Sequence, residues 1–308
     1  MQVGVNVAIG PDGPPTHDEV VAEVRAAAGA GLATAWWPQL PPVPGIAPWD
    51  ALTSIAATAV AVQGIGLGTS VVVSYARHPL ALATQALTAQ AVSGNRLTLG
   101  IGTSHAAIIE GAYGLPFDRP ARHLREYLEA LRPALRGEPV DHHGETITAV
   151  GTVAIPGATA PSVVLAALGP AMLRLAGELA DGTIATWGGP RAIGDVIVPR
   201  LSAAAAAAGR GAPRVIVNAP VSVTADAGAA RAYVAEQFGA AAGFPSYRRM
   251  LDHDGFAGPA DAAVVGDEAE VAAALRRYAD AGATELVPSV FGPPEDRART
   301  LALLASGF

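Results

Sequence analysis

The chain contains no cysteine and no lysine; all 20 of its basic side chains are arginine. The first absence excludes disulfides, thiolate nucleophiles, cysteine-ligated zinc and iron–sulfur clusters. The second excludes Schiff-base chemistry, a Walker A phosphate loop and a Ser–Lys dyad. Charge is scarce as well: 15% of residues are charged against 51% hydrophobic, with a net charge of −7. No basic stripe marks a nucleic-acid surface, and no run of like charge marks an interaction tail. Any chemistry must rest on His, Asp, Glu, Tyr, Ser, Thr, Arg, backbone groups or a cofactor.

Met1 to Gly10 lack the basic start of a secretory signal. Ala51 to Ala76 carries no charge and is long enough to span a bilayer, but it contains Thr53, Ser54, Gln63 and three glycines. Its pattern changes midway, which reads as a helix followed by a buried strand. The expectation is a cytoplasmic protein without a membrane or nucleic-acid partner.

What is present is an alternation. Strand-like runs cover Val3 to Ile9, Leu32 to Trp37, Ile65 to Val73, Arg96 to Ile101, Val163 to Leu168, Thr183 to Trp187, Val215 to Val223 and Glu285 to Val290. Helix-like runs separate them. Thr16 and Glu19 form a capping box for a helix to about Ala30, and Asp267 with Glu270 opens another to Ala281. Others run from about Trp49 to Gln63, from Pro79 to Val92, from Arg119 to Arg136 with Asp118 as cap, from Pro170 to Ala180, from Ala192 to Ala208 and from Ala227 to Ala241. Two excursions interrupt the pattern: a polar, hairpin-like stretch near 141–152 and a Gly/Pro-rich insertion near 243–259.

Eight strands, each followed by a helix, imply a parallel sheet. The 308 residues suit a single TIM barrel over 1–308, since such barrels typically need roughly 250. No repeat or linker divides the chain. An open doubly wound sheet is the alternative. In a barrel the site forms at the C-terminal strand ends, so the loops after Trp37, Val73, Gly102, Leu168, Trp187, Val223 and Val290 matter most.

At one of these ends, Gly100-Ile101-Gly102-Thr103-Ser104 closes a strand. Its small residues let backbone N–H groups approach a phosphate; a tight barrel turn explains it equally. It is not a dinucleotide fingerprint, because the third glycine and the later acidic residue are missing. His105 stands at the mouth of this loop. His78, before Pro79, reads as a cap or barrel-end contact, and His142-His143 as solvated surface. No metal cluster, nucleophile elbow or carboxylate pair appears. Trp36, Trp37 and Trp187 close strands and suit either rim packing or a pocket for a flat ligand. A mouth poor in catalytic side chains and rich in small and aromatic ones fits a reaction whose hard step belongs to a cofactor.

Several stretches together resemble the bacterial luciferase-like monooxygenase superfamily, in particular its coenzyme F420-dependent branch. They are Trp49-Asp50-Ala51-Leu52, Leu67-Gly68-Thr69-Ser70-Val71, Arg77-His78-Pro79, Asn95-Arg96-Leu97-Thr98-Leu99-Gly100-Ile101-Gly102-Thr103, Ala166-Ala167-Leu168-Gly169-Pro170, Ala176-Gly177-Glu178, Ala180-Asp181-Gly182, Gly266-Asp267-Glu268 and Ala281-Gly282-Ala283-Thr284-Glu285. They cover nearly the whole chain in order. The resemblance implies a TIM barrel in which Ser70-Val71 is a non-proline cis peptide forming a bulge behind a flavin-like ring. It implies a coenzyme phosphate at Thr103 and Ser104 beside Gly102, and Ala166, Ala167, Leu168, Gly169 and Thr186 around the ring or its side chain.

The chain departs from the sugar-phosphate dehydrogenases of that branch. Gln39 stands where they carry a histidine, His105 where they carry an acid, and Gly189 where they carry a phosphate-binding lysine. The implied activity is hydride transfer between F420 and a small apolar substrate contacting Trp37 and Trp187, with Gln39 orienting it and His105 supplying a proton. An FMN-dependent two-component monooxygenase and a non-catalytic flavin-binding barrel are the alternatives. The superfamily habit of pairing through barrel helices implies a homodimer.

Overall fold

The computed structural model describes residues 1–7, 15–39, 42 and 49–308. Ile9 and most of the loop after Gln39 lie outside the described residues. Strand β1 (Gln2–Asn6) is followed by α1 (His17–Gly29), β2 (Thr34–Trp37), α2 (Ala51–Ala61), β3 (Gly66–Thr69), β4 (Val72–Val73), α3 (Pro79–Ser93) and β5 (Leu97–Gly102). Then come α4 (Ala106–Tyr113), α5 (Pro120–Leu135), β6 (Val140–His143), β7 (Thr148–Gly151), β8 (Ser162–Ala166), α6 (Pro170–Leu179) and β9 (Gly182–Thr186). The last part holds α7 (Pro190–Ala192), α8 (Val198–Ala207), β10 (Arg214–Val223), α9 (Ala227–Phe238), α10 (Pro245–Asp254), α11 (Pro259–Ala262), β11 (Val264–Gly266), α12 (Glu268–Asp280), β12 (Glu285–Val290) and α13 (Pro294–Ser306).

The sheet closes on itself. Parallel pairing runs β1–β2–β3–β5–β8–β9–β10–β12 and returns to β1, with β4 continuing β3 beside β5. This is an eight-stranded parallel barrel wrapped by helices. Strand alternation turns successive side chains inward and outward, and the inward set forms three layers. At the base, Glu285 (1% exposed) accepts hydrogen bonds from Thr34 Oγ1 (2.5 Å) and Trp36 Nε1 (2.9 Å) and pairs with Arg214 (2.7 Å). In the middle, Trp36, Val164, Ile184, Ile216 and Val287 pack together with Val71. Gly68 makes this possible, because a Cβ there would lie 2.4 Å from the Trp36 ring. The top layer is polar and uncharged, and it forms the mouth.

Several local expectations need correction. Asp118 does not cap α5: Arg119 takes the cap position at φ 45° with no side-chain hydrogen bond. The stretch near 243–259 is not an irregular insertion but carries a short 3₁₀ turn (Gly239–Gly243), α10 and the start of α11. Its glycines and prolines sit at helix ends, where proline at N1 and glycine after the last turn are favoured. The run Ile65 to Val73 is divided at Ser70-Val71, which is a cis peptide. The helix expected from Ala192 to Ala208 starts at Pro190 and passes through a π turn at Ile193–Ile197. Short α4 and β11 had no clear periodic signal. The stretch near 141–152 is an antiparallel hairpin, β6–β7. The uncharged stretch after Ala51 is α2 followed by β3; among the described residues no helix is long and apolar enough to cross a membrane.

Candidate active site at the barrel mouth

At the C-terminal ends of the strands, four neutral polar side chains form one chain across the mouth. Ser70 Oγ donates to Asn6 Oδ1 (3.1 Å), Asn6 Nδ2 donates to Ser289 Oγ (3.1 Å), and Ser289 Oγ donates to Asn218 Oδ1 (3.4 Å). Asn6, at the end of β1, is 5% exposed. Among the described residues it uses one of its two N–H donors, on Ser289, and has the other to spare. Thr186 sits beside Asn218 in the β9–β10 register. Of these, sequence reading singled out only Ser70 and Thr186. A polar residue closing an otherwise apolar barrel strand, as in Asn6 and Ser289, is the signal that would have found the others.

Beside this chain lies a shelf of small groups. A Cβ on Gly102 would meet Val71 Cγ2 at 2.7 Å and Ala166 Cβ at 3.2 Å. Ala166 is exposed and Val71 half-buried, so the shelf faces open space. The shelf leads into the turn Thr103-Ser104-His105. Ser104 adopts φ 61°, and His105 then starts α4 without any side-chain cap. Ile108 N donates to His105 O (3.0 Å), but among the described residues no side chain caps the amides of Ala106 and Ala107, the arrangement that favours an anion. The half-buried hydroxyls of Thr103 and Ser104 stand beside them.

His105 is enclosed by aromatic rings. It stacks on Phe244 (3.9 Å between centroids, 18°) and meets the edge of Tyr247 (5.0 Å, 71°). Burial pushes its pKa down from the ordinary value. Its aromatic surroundings favour the neutral imidazole. Both aromatic partners come from the 243–259 region, which carries no motif of its own.

Other predicted site residues are placed differently. Trp37 is fully buried in the layer between barrel and helices, because it follows inward-facing Trp36 by one residue. Ala167 and Leu168 pack into that same layer, and the Ala167 backbone is bonded to Thr183 Oγ1 through both N–H (3.3 Å) and C=O (3.0 Å). They turn away from the mouth, while Ala166 and Gly169 stay at its edge. Gln39 spends its side-chain oxygen accepting from Ala51 N (3.0 Å) and Arg77 Nη2 (3.5 Å), so it acts as a brace at the start of α2. Trp187 remains at the rim, at φ 64°, against Phe238 (5.5 Å).

An apolar recess adjoins Asn6 and Ser289. Pro220, Tyr233, Phe238, Val290 and Phe291 line it, with Tyr233 and Phe291 stacked at 5.5 Å. On the opposite rim, Asp254 accepts from the backbone N–H of Gly189 (2.8 Å) and Arg191 (3.0 Å). A Cβ on Gly189 would lie 2.5 Å from Asp254 Oδ1, so a carboxylate fills the space beside position 189. Among the described residues, no group of three or more His, Asp or Glu is placed to hold a metal ion.

The luciferase-like monooxygenase family model matches residues 1–285. The chain belongs to the luciferase-like monooxygenase family. Within it, this luciferase-like chain is 33% identical over 211 residues to the protein of Mycobacterium tuberculosis named "Putative coenzyme F420-dependent oxidoreductase Rv3520c", covering 63% of this chain and 58% of that one. It is 31% identical over 188 residues to a 5,10-methylenetetrahydromethanopterin reductase of Methanolobus tindarius, covering 61% and 57%. The matched part thus spans under two thirds of these curated relatives. Two solved structures share the fold. The F420-dependent tetrahydromethanopterin reductase of Methanopyrus kandleri superposes with a TM-score of 0.76 at 23% identity, covering 99% of this chain and 97% of that one. The FMN-bound oxygenating constituent of 3,6-diketocamphane monooxygenase from Pseudomonas putida superposes at 0.80 and 18%, covering 99% and 97%.

Proposed function

We propose that this luciferase-like barrel is an F420-dependent oxidoreductase acting on a small, uncharged, largely apolar substrate. The observation that carries the reading is the mouth itself: a shelf of Val71, Gly102 and Ala166 beside uncapped α4 amides, faced by neutral hydrogen-bonding groups. The relative named as a putative coenzyme F420-dependent oxidoreductase, at 33% identity, favours the deazaflavin. The residues present fit such a group, because Val71, Gly102 and Ala166 offer only small apolar groups beside the Thr103 and Ser104 hydroxyls.

In this reading Val71, Gly102 and Ala166 would support the flat ring, while Thr103, Ser104 and the first amides of α4 would hold its phosphate. When bound, the coenzyme supplies or accepts the hydride. The chain's task is to hold the substrate against the ring at reacting distance and to keep water out. The recess of Tyr233, Phe238 and Phe291 would bind the apolar body. The spare N–H of Asn6 would hold a carbonyl-type oxygen, with Ser70 and Ser289 fixing its orientation. His105, kept neutral by burial, would donate a hydrogen bond from its ring N–H to the substrate and not a proton, so the proton would come from water. Asp254 repels a phosphorylated substrate. We also expect a homodimer; light scattering that returns a monomer mass at micromolar concentration would contradict it.

Fluorescence quenching of F420 and of FMN, each titrated into the pure protein, tests the reading. Tighter binding of F420, with turnover on an apolar carbonyl panel, is expected. Preference for FMN would favour the monooxygenase reading, which the FMN-bound neighbour keeps in view. Tight binding without turnover would mark a non-catalytic flavin-binding barrel.

A further inference from the structure

Outside the mouth, a cleft opens between the segment after β4, the α4–α5 connection and the turn of the β6–β7 hairpin. Ser74, Arg77 and His123 line it, with Asp118, Arg119 and Glu145 also on its wall. Three residues that line it each carry a buried polar atom with no hydrogen-bond partner among the described residues: Ser74 Oγ, Arg77 Nη1 and His123 Nε2. Ser74 is 1% exposed and His123 is 7% exposed. Buried polar atoms are almost always paired, so three orphans on one opening call for an explanation.

Their neighbours hold them in place. Arg77 spends its other arm on Asp50 and Gln39, which leaves Nη1 unused. His123 stacks face to face on Tyr75 (3.9 Å, 17°), whose hydroxyl donates to Asp118 O (3.3 Å). The Ser74 amide donates to Gly102 O (2.9 Å), so the cleft floor is tied to the end of β5. None of these contacts uses the three orphaned atoms.

We propose that this cleft is a binding site for the carboxylate of a small organic acid, with Arg77 Nη1, Ser74 Oγ and His123 Nε2 as its donors. A guanidinium arm, a hydroxyl and an imidazole N–H all donate, and an ionised carboxylate only accepts. One negative charge suits the cleft better than two. Asp118 and Glu145 stand on the wall, and Glu145 is already held by Arg119 and Arg122. A phosphate dianion would meet more repulsion there than a monovalent carboxylate group. Its three donors belong to residues other than Thr103, Ser104 and His105, and they do not depend on which cofactor the mouth binds.

Titration of the whole protein with succinate, followed by NMR of the histidine ring resonances, tests the proposal. His123 is assigned through His123→Gln. A saturable shift of the His123 signal is expected with succinate. Ser74→Ala should weaken it at least tenfold, and succinamide, the uncharged counterpart, should produce no shift. Absence of a saturable shift overturns the site, and an equal shift with succinamide overturns the reading of charge. Stronger binding of inorganic phosphate than of succinate overturns the carboxylate assignment. Should Ser74→Ala fail to fold, the thermal upshift given by succinate must disappear in His123→Gln; its persistence there also overturns the proposal.

Discussion

Asn6 is held by two hydrogen bonds, from Ser70 and to Ser289, in a nearly water-free position. Replacing it by alanine strands both hydroxyls, and an unsatisfied buried polar group costs about 1–3 kcal/mol. Asn6→Ala should therefore lose stability in that range in urea unfolding. On the proposed mechanism, it should also lower turnover by about 10- to 100-fold, the equivalent of that energy, while coenzyme affinity stays within a few-fold. Unchanged turnover at saturating substrate would remove Asn6 from the mechanism. His105 and His123 carry a second prediction. Burial lowers both pKa values, and for His123 nearby Glu126 opposes the shift. The unfolded chain, with histidines near pKa ~6.5, takes up protons first as pH falls. Stability contributed by the neutral rings is complete above pH ~6.5 and declines below it, towards the lowered folded values. Urea midpoints at pH 7.5 and 5 should differ less in His105→Gln than in the parent; an identical difference would show that His105 does not contribute.

At the scale of elements, glycines decide how closely parts approach. A Cβ on Gly177 of α6 would meet Ala204 Cβ at 2.6 Å and the backbone of Leu201 and Ala205 at 2.7 Å. Gly177→Ala forces α6 and α8 apart, and overpacking of this kind costs about 1–3 kcal/mol. Equilibrium unfolding should show that loss, and a neutral result would mean that α8 can yield. Gly102→Val acts differently. Its added atoms meet Val71 and Ala166 side chains and not main chain, so the variant should fold and yet bind the coenzyme far more weakly in fluorescence titration. Normal binding by a folded Gly102→Val protein would overturn the shelf. Gly100 tolerates less, because a Cβ there would lie 1.9 Å from Thr69 O.

For the molecule as a whole, the barrel interior separates its tasks by depth. The base is closed by Glu285, Arg214, Thr34 and Trp36, the middle is apolar, and the top is left polar for ligand. Arg214→Met would leave Glu285 charged and unpaired at 1% exposure. Breaking a buried pair from one side costs about 3–5 kcal/mol. The low end is expected here, since Arg214 is partly exposed and Thr34 and Trp36 still donate to the carboxylate. Loss of stability should exceed that of Gly177→Ala in the same denaturant series; a smaller loss would mean that solvent reaches Glu285.

The alternation of apolar runs and helical segments was enough, by itself, to define eight strands in a parallel sheet, because each run must bury one or both faces and short loops leave few ways to do so; closure over an open doubly wound sheet was decided by the tertiary structure. Local signals were equally legible where the chemistry is local. The capping boxes at Thr16 and Asp267 are both formed. Composition alone had already removed thiol and amine chemistry. What sequence spacing could not decide was direction and company. Whether Trp36 or Trp37 faces the barrel interior depends on strand phase, which the flanking residues do not announce. Gln39 became a brace only because Arg77 and Ala51 arrive beside it from distant segments. The chain Ser70–Asn6–Ser289–Asn218 joins four strand ends spread over more than 280 positions, and the aromatic enclosure of His105 comes from a region with no motif of its own. Such sites are assembled by barrel closure, since only closure brings strand ends within hydrogen-bond distance.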